Sequence, residues 1–294
     1  MSHENAIHPP IGPGLPYQVL FSEAQAPSER SESLPGIWRA VLGADWALPR
    51  YEQRPYVYSN LAASRDGRMS FALPGFDKSS VVTEANPHDR WLMALLRARA
   101  DAVLMGDTTV KIEKGILATA EHVCDYDAAA WAALRTHEGR APAPLMVILS
   151  YDCALETSEA CFQRADAHVV LATTRHGIER ANALRGRARI DAHQLGVDAV
   201  DLRALVRLLH AQYGVRSLLC EGGPRVMGGM FAAKLIDEEF LTYCPVIVGA
   251  SHEQPRPSYV EGVAFSPHNA PQSRIQTLRR AGDFLFLHTR MSYS

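Results

Sequence analysis

The chain has 294 residues, 47% of them hydrophobic and 21% charged, with a formal net charge of -2, the balance of a globular protein able to bury a sizeable core. That balance carries no basic stripe of the kind that neutralises nucleic-acid phosphates, so no nucleic-acid partner is expected. No run approaches the ~18 consecutive apolar residues of a membrane span, and the start MSHENAIHPP lacks an apolar signal core, which predicts a cytoplasmic protein with no membrane partner.

Cys124, Cys153, Cys161, Cys220 and Cys244 are scattered, odd in number and never spaced as C-x-x-C, which suggests neither a disulfide framework nor a zinc knuckle. The histidines form no H-E-x-x-H, and no H-x-E followed by P-C-x-x-C, so no metal is expected and a zinc deaminase is set aside.

In chain order, residues 1 to 34 are rich in Pro, Ser, Glu and Gly and read as an extended lead-in that packs on a surface. The run PGIWRAVLGAD (35 to 45) predicts one short helix. Residues 1 to 53 thus read as an extension, and 54 to 294 as one domain. From Arg54 the apolar runs PYVYSNLAA (55 to 63), DAVLMG (101 to 106), PLMVILS (144 to 150), AHVVLAT (167 to 173) and SLLCE (217 to 221) have strand length and the density of strands buried on both faces.

Helical patterns lie between them. Leu92, Leu95 and Leu96 share one side after an Asn86-Pro87 cap, and Leu202, Leu205, Val206, Leu209 and Tyr213 share another before Gly214. The carboxyl end instead reads as strands alone: EEFLTYCPVIVG (238 to 249), RIQTLRR (274 to 280) and DFLFLHTRM (283 to 291), the last two joined by a hairpin at Ala281-Gly282. The pattern predicts a three-layer α/β fold: a mostly parallel mixed sheet, helices on both faces, and antiparallel carboxyl-terminal strands.

The stretch LLCEGGPRVMGG (218 to 229) ends a strand in glycines and opens a helix with Pro224. Two readings stand. One is a tight strand-to-helix turn without a ligand. The other is a phosphate cradle, in which Gly222 and Gly223 let backbone approach a ligand at a positive helix end, and Gly228 and Gly229 keep the helix surface open near it.

Three segments in order, NLAASRDGRMS (60 to 70), LLRARADAVLMGDTTV (95 to 110) and CEGGPRVMGGMFAAKLIDEEFLTYCPVIVG (220 to 249), give the chain a resemblance to the pyrimidine reductases of riboflavin biosynthesis, which have a dihydrofolate-reductase-like fold. The resemblance runs from about 54 to 291 and is weak between about 118 and 215. It implies NADPH as cofactor, a small heterocyclic substrate and a homodimer. Ala63, Ser64, Asp66 and Gly67 would line the nicotinamide side. Thr109 and the run Gly222, Gly223, Pro224, Arg225, Val226, Met227, Gly228 and Gly229 would hold the phosphates. Arg97, Leu117 and Glu221 would face the substrate, with Glu113 as the acid or the group that orients a water.

Each residue also has a plainer reading. Asp66 caps its own turn, Thr109 is a turn hydroxyl, Arg97 is a helix-surface cation, and Glu113 and Glu221 are loop or strand-end carboxylates. Arg175, after a strand end, is the candidate for the adenosine 2′-phosphate. The chain departs from the family where an Asp-Asp-Pro then Leu-Thr-x-Arg is usual: it has Glu113-Lys114-Gly115 and Leu117-Ala118-Thr119-Ala120. The arginine that would grip a sugar phosphate is missing unless Lys111 or Lys114 replaces it. A pterin or folate reductase, a nucleotide-binding module without catalysis, and a sugar-phosphate transferase or lyase therefore remain as alternatives.

Overall fold

Every residue of the strand Tyr56–Ala63 is buried, and its side chains alternate between two cores: Tyr56, Tyr58 and Ala62 join one, Val57 and Leu61 the other. That alternation requires a sheet covered on both faces. The computed structural model describes residues 16–23 and 31–294 of the chain and contains such a sheet.

Its strands are β1 (Gln18–Ser22), then, after the separate short pair β2 (Ser31–Glu32) and β3 (Leu48–Pro49), β4 (Tyr56–Ala63), β5 (Ala102–Gly106), β6 (Leu145–Ser150), β7 (His168–Thr173), β8 (Arg189–Gln194), β9 (Ser217–Cys220), β10 (Glu238–Tyr243), β11 (Gln272–Ala281) and β12 (Phe284–Ser292). The spatial order is β1-β11-β12-β10-β4-β9-β5-β6-β7-β8. From β10 to β8 all neighbours pair parallel, while β12, β11 and β1 continue antiparallel.

Helices cover the two faces. On one, the helix Pro87–Ala98 starts where the Asn86 side chain accepts from the His88 and Asp89 N–H groups, and it buries Trp91, Leu92, Leu95 and Leu96. Trp91 meets Trp38 and Trp131 there, so the helices Gly36–Leu42 and Ala128–His137 belong to the same core. On the other face, Asp201 caps the helix Leu202–Tyr213, which buries Leu205, Val206 and Leu209 and stops at Gly214 with φ 66°. The helix Pro224–Ala232 lies beside it, since a Cβ on Gly229 would stand 2.9 Å from Leu202 Cδ1. No helix among the described residues is long and apolar enough to cross a membrane.

Four expectations need correction. The strand predicted over 238 to 249 stops at Tyr243, because Pro245 has no N–H and the Val248 and Gly249 N–H groups are drawn off to Asp66. The hairpin turns at Gly282-Asp283, one residue later than predicted, with Gly282 at φ 60°. The lead-in is not all surface packing: β1 pairs with β11, and Tyr17 and Leu34 are buried, the rest of 1 to 34 lying outside the described residues or in short exposed stretches. Finally, β8 and the helix Ala128–His137 carry no strong period in the sequence and were not expected.

Candidate active site

The three segments that carry the resemblance include the carboxyl ends of three adjacent parallel strands, β4, β9 and β5, in the middle of the sheet. After β5 the chain builds outward through β6, β7 and β8, then returns to place β9 between β4 and β5 and β10 beyond β4. Strand order reverses there, and crevices at the carboxyl ends of such strands are where α/β sheets take ligands.

At the end of β4, Ala63 and Ser64 are buried. The Ser64 hydroxyl donates to Asp66 Oδ1 at 2.7 Å and accepts from the Arg68 N–H at 2.9 Å. Gly67 makes the turn at φ 76°, where a side chain would be strained. Asp66 also accepts from the Val248 and Gly249 N–H groups at 3.0 and 2.8 Å. Its slight burial opposes ionisation, but these donors outweigh it and hold the carboxyl down at about 2. Asp66 thus ties the loop after β10 to the turn that follows β4, a tether that no local pattern in the sequence signals.

At the end of β9, Gly222 sits against Val226, since a Cβ there would lie 2.5 Å from Val226 Cγ1. Gly223 is the N-cap of the helix Pro224–Ala232, with Pro224 in its first turn and no side-chain cap. The Met227 N–H closes onto the Gly223 carbonyl at 3.1 Å, so the backbone N–H groups ahead of it form the open, positive end of the helix. Arg225 is exposed beside that end. Val226 and Met227 point into the core, Met227 Sδ lying 3.6 Å from Cys220 Sγ, so they offer backbone only.

Gly228 and Gly229 have partners other than a ligand. A Cβ on Gly228 would stand 2.0 Å from the Glu261 carbonyl oxygen, and Gly229 faces Leu202. They are glycines because loop and helix pack on them, which corrects the reading that they keep the helix surface open.

At the end of β5, the short helix Asp107–Ile112 begins beside the same loop: a Cβ on Gly106 would be 4.0 Å from Gly223 N, and one on Gly223 would be 3.8 Å from Thr109 Oγ1. Thr109 therefore flanks the Gly223 backbone. Glu113 caps the far end of this helix, half-buried, and accepts from the Ser79 hydroxyl at 3.3 Å. Lys111 pairs with Asp107 at 3.1 Å, whereas Lys114 is exposed.

Arg97, Leu117 and Glu221 come together. The guanidinium forks onto Glu221, with Nη2 2.7 Å from Oε2 and Nε 2.9 Å from Oε1, and its Nη1 donates to the Leu117 carbonyl at 2.8 Å. With its side chain only 2% exposed, Arg97 is no surface cation; it fixes Glu221 and the loop after Glu113. Asp89, about two turns earlier on the same helix, is not singled out by the sequence because its place in the first turn reads as capping. Burial pushes its carboxyl up to about 6, the Thr242 hydroxyl acting against this and the Glu221 charge adding to it.

The family model described as the RibD C-terminal domain matches residues 55–279. A protein of Archaeoglobus fulgidus named 2,5-diamino-6-ribosylamino-4(3H)-pyrimidinone 5′-phosphate reductase is 28% identical over 232 residues, 78% of this chain and 95% of that protein. One of the same name from Aquifex aeolicus is 22% identical over 217 residues, 72% of this chain and 85% of that protein. Among solved structures, Acinetobacter baumannii RibD superposes with a TM-score of 0.62 at 19% identity, covering 82% of this chain and 59% of that one. A pyrimidine reductase-like protein of Corynebacterium diphtheriae gives 0.61 at 16% identity, covering 82% and 94%. The structural likenesses show a shared fold, and the chain spans 59% of the length of that RibD.

Proposed function

We propose that this chain, which belongs to the RibD C-terminal domain family, is an NADPH-dependent reductase acting on a pyrimidine that carries a ribosylamino 5′-phosphate. The observation that carries the reading is the meeting of Thr109 with Gly223 at the ends of the neighbouring strands β5 and β9, with Glu221 immediately before Gly222-Gly223 and Ser64 at the end of β4, the strand on the other side of β9.

The residues fit the cofactor. Gly223 presents bare backbone, since any side chain there would narrow the gap to Thr109, and the uncapped helix end behind it favours a pyrophosphate. Thr109 would add a hydroxyl and Arg225 a nearby cation. Ala63 and Ser64 would form the wall of the nicotinamide pocket, and Asp66 would hold that wall to the loop after β10. When bound, NADPH supplies a hydride from the nicotinamide C4.

The acceptor follows from the chemistry of a ribosylamine, which opens to a C1′=N imine. Hydride adds to C1′, the π electrons pass to nitrogen, and nitrogen takes a proton, leaving a ribitylamine. Glu113 is the residue we assign to that proton, directly or through a water, with Ser79 orienting it. Glu221, fixed by Arg97, would accept from the substrate's amino groups, and the Leu117 backbone would border the same space. Lys111 is held by Asp107, whereas the exposed Lys114, next to Glu113, would be free to meet the sugar phosphate.

The absence of an arginine from 117 to 120 favours a second reading, a pterin or related imine without the sugar phosphate. As to assembly, β1 is an exposed edge strand carrying Val19, Leu20 and Phe21, a surface that supports pairing with a second copy.

The test is loss of reduced-nicotinamide absorbance when the purified chain meets NADPH and the pyrimidinone ribosylamine phosphate. One NADPH consumed per substrate supports the first reading. Turnover of a pterin imine alone supports the second, and oxidation with neither overturns both.

A further inference from the structure

One face of β11 and β12 buries polar groups that the fold leaves unanswered. Thr277, Arg279 and Ala281 alternate on the side of β11 that looks into the core of Trp38, Trp91 and Trp131, since Ala281 belongs to that core, as does Phe286 of β12 opposite Arg279. Thr277 stands opposite His288, whose ring lies flat on Phe240 of the same core with centroids 4.3 Å apart. Residues directly opposite on paired strands, and their diagonal neighbours, reach one another with their side chains.

Among the described residues, Arg279 Nε and Nη2, Thr277 Oγ1 and His288 Nδ1 have no hydrogen-bond partner. All three side chains are shut away, Arg279 at 1% exposure, Thr277 at 2% and His288 at 0%. Burial pushes the Arg279 guanidinium down to about 10, with Tyr17 acting the other way, so it keeps its charge at neutral pH. The carboxylate on this side of the sheet is already engaged. Glu238 accepts from His288 Nε2 at 2.8 Å, from Trp46 Nε1 at 3.2 Å and from Arg290 Nη2 at 3.0 Å.

A buried charge with no counter-charge is among the costliest things a core can hold. Arg279 brings only donors and Thr277 a hydroxyl, while His288, whose Nε2 faces Glu238, adds a donor at Nδ1 when its ring is charged. The acceptor must come from outside the chain. We propose that Arg279 and Thr277, with His288 beside them, bind a single halide ion that fastens the lead-in strand β1 to the sheet. Arg279 stands opposite Val19 of β1, and Tyr17, next to that strand, packs edge-on against Phe286 and donates its hydroxyl to the His88 carbonyl at 2.6 Å. The ion thus lies in the seam between the lead-in and the domain. One guanidinium calls for one negative charge, and a compact monovalent ion gives up less hydration on burial than phosphate does. The inference is independent of the reductase reading.

The test is the melting temperature of the full chain titrated with sodium chloride and with sodium bromide, sodium methanesulfonate keeping the ionic strength fixed. The natural sequence should gain roughly 2–4 °C for each tenfold rise in halide above its dissociation constant. Arg279→Leu removes the charge and should melt at one temperature whatever the anion. Thr277→Val keeps the shape of the side chain and should weaken the halide about fivefold, with the NADPH titration unmoved. Crystals soaked in bromide should show an anomalous peak beside Arg279 and Thr277, a result that needs no variant to fold. A melting temperature that ignores the identity of the anion, a halide response equal in the natural sequence and Thr277→Val, or bromide peaks at the surface alone would overturn the assignment.

Discussion

Arg97 and Glu221 form a buried, forked ion pair, 2.7 Å between Nη2 and Oε2, that joins the helix before β5 to the strand end that opens the glycine loop. The pair sets the position of Glu221, which we assign to the substrate side, and, through the Leu117 carbonyl, of the loop that follows Glu113. A buried charge without its partner is costly, so the two residues act as a unit.

Arg97→Ala should therefore destabilise the protein by about 3–5 kcal/mol, read from denaturant unfolding. Arg97→Lys keeps the charge but loses the fork, and should raise KM for substrate more than it lowers the affinity for NADPH. Equal losses in both would argue against a substrate-side role.

The two loop glycines should separate stability from binding. Gly222→Ala forces a Cβ into Val226 and should cost about 1–3 kcal/mol of stability. Gly223→Ala meets only Thr109 Oγ1 at 3.8 Å, so the fold should hold while NADPH affinity drops roughly tenfold, about 1.4 kcal/mol. Melting curves and titrations of the same preparations check both.

Glu113→Gln removes a proton donor without removing a hydrogen-bond acceptor for Ser79. Turnover should fall by roughly 10²- to 10⁴-fold with NADPH binding nearly intact. An unchanged rate constant would remove Glu113 from the chemistry.

Two carboxyl groups should give opposite pH signatures. Asp66 is depressed to about 2, so what it contributes is present above its ordinary 3.8 and is lost as pH falls through about 2; Asp66→Asn should destabilise at pH 7 and make progressively less difference as pH falls below about 3.8, vanishing below 2. Burial raises Glu239 to about 7, and among the described residues its Oε1 has no hydrogen-bond partner. Its folded form resists ionisation, so stability falls as pH climbs from about 4.5 to 7. Glu239→Gln should match the natural sequence at pH 4 and melt several degrees higher at pH 8, roughly 3 °C or more.

The parts of the fold most legible in the sequence are those where one physical signal dominates. Runs such as DAVLMG and PLMVILS sit in the sheet's middle, where both faces are covered and apolar residues dominate. Helix ends at Asn86-Pro87 and Gly214 were marked by residues suited to little else. The illegible parts depend on contacts remote in sequence. RIDAHQ becomes the edge strand β8 only because β7 lies beside it, and QVLFS becomes β1 only because β11 offers an edge.

The site divides the same way. Glycines and capping geometry announced the loop at 222–224, but the roles of Gly228 and Gly229 were set by Glu261 and Leu202, which no local pattern predicts. Ser79 beside Glu113 and Asp89 near Glu221 each join distant segments. No spacing rule brings those together.

The most direct measurement is a calorimetric titration of the natural chain with NADPH. The cradle at Thr109 and Gly223 predicts saturable binding of one NADPH per chain, weakened by Gly223→Trp in a protein that still melts cooperatively. No heat with NADPH or NADH from folded protein would return the glycine loop to a ligand-free turn and contradict the account.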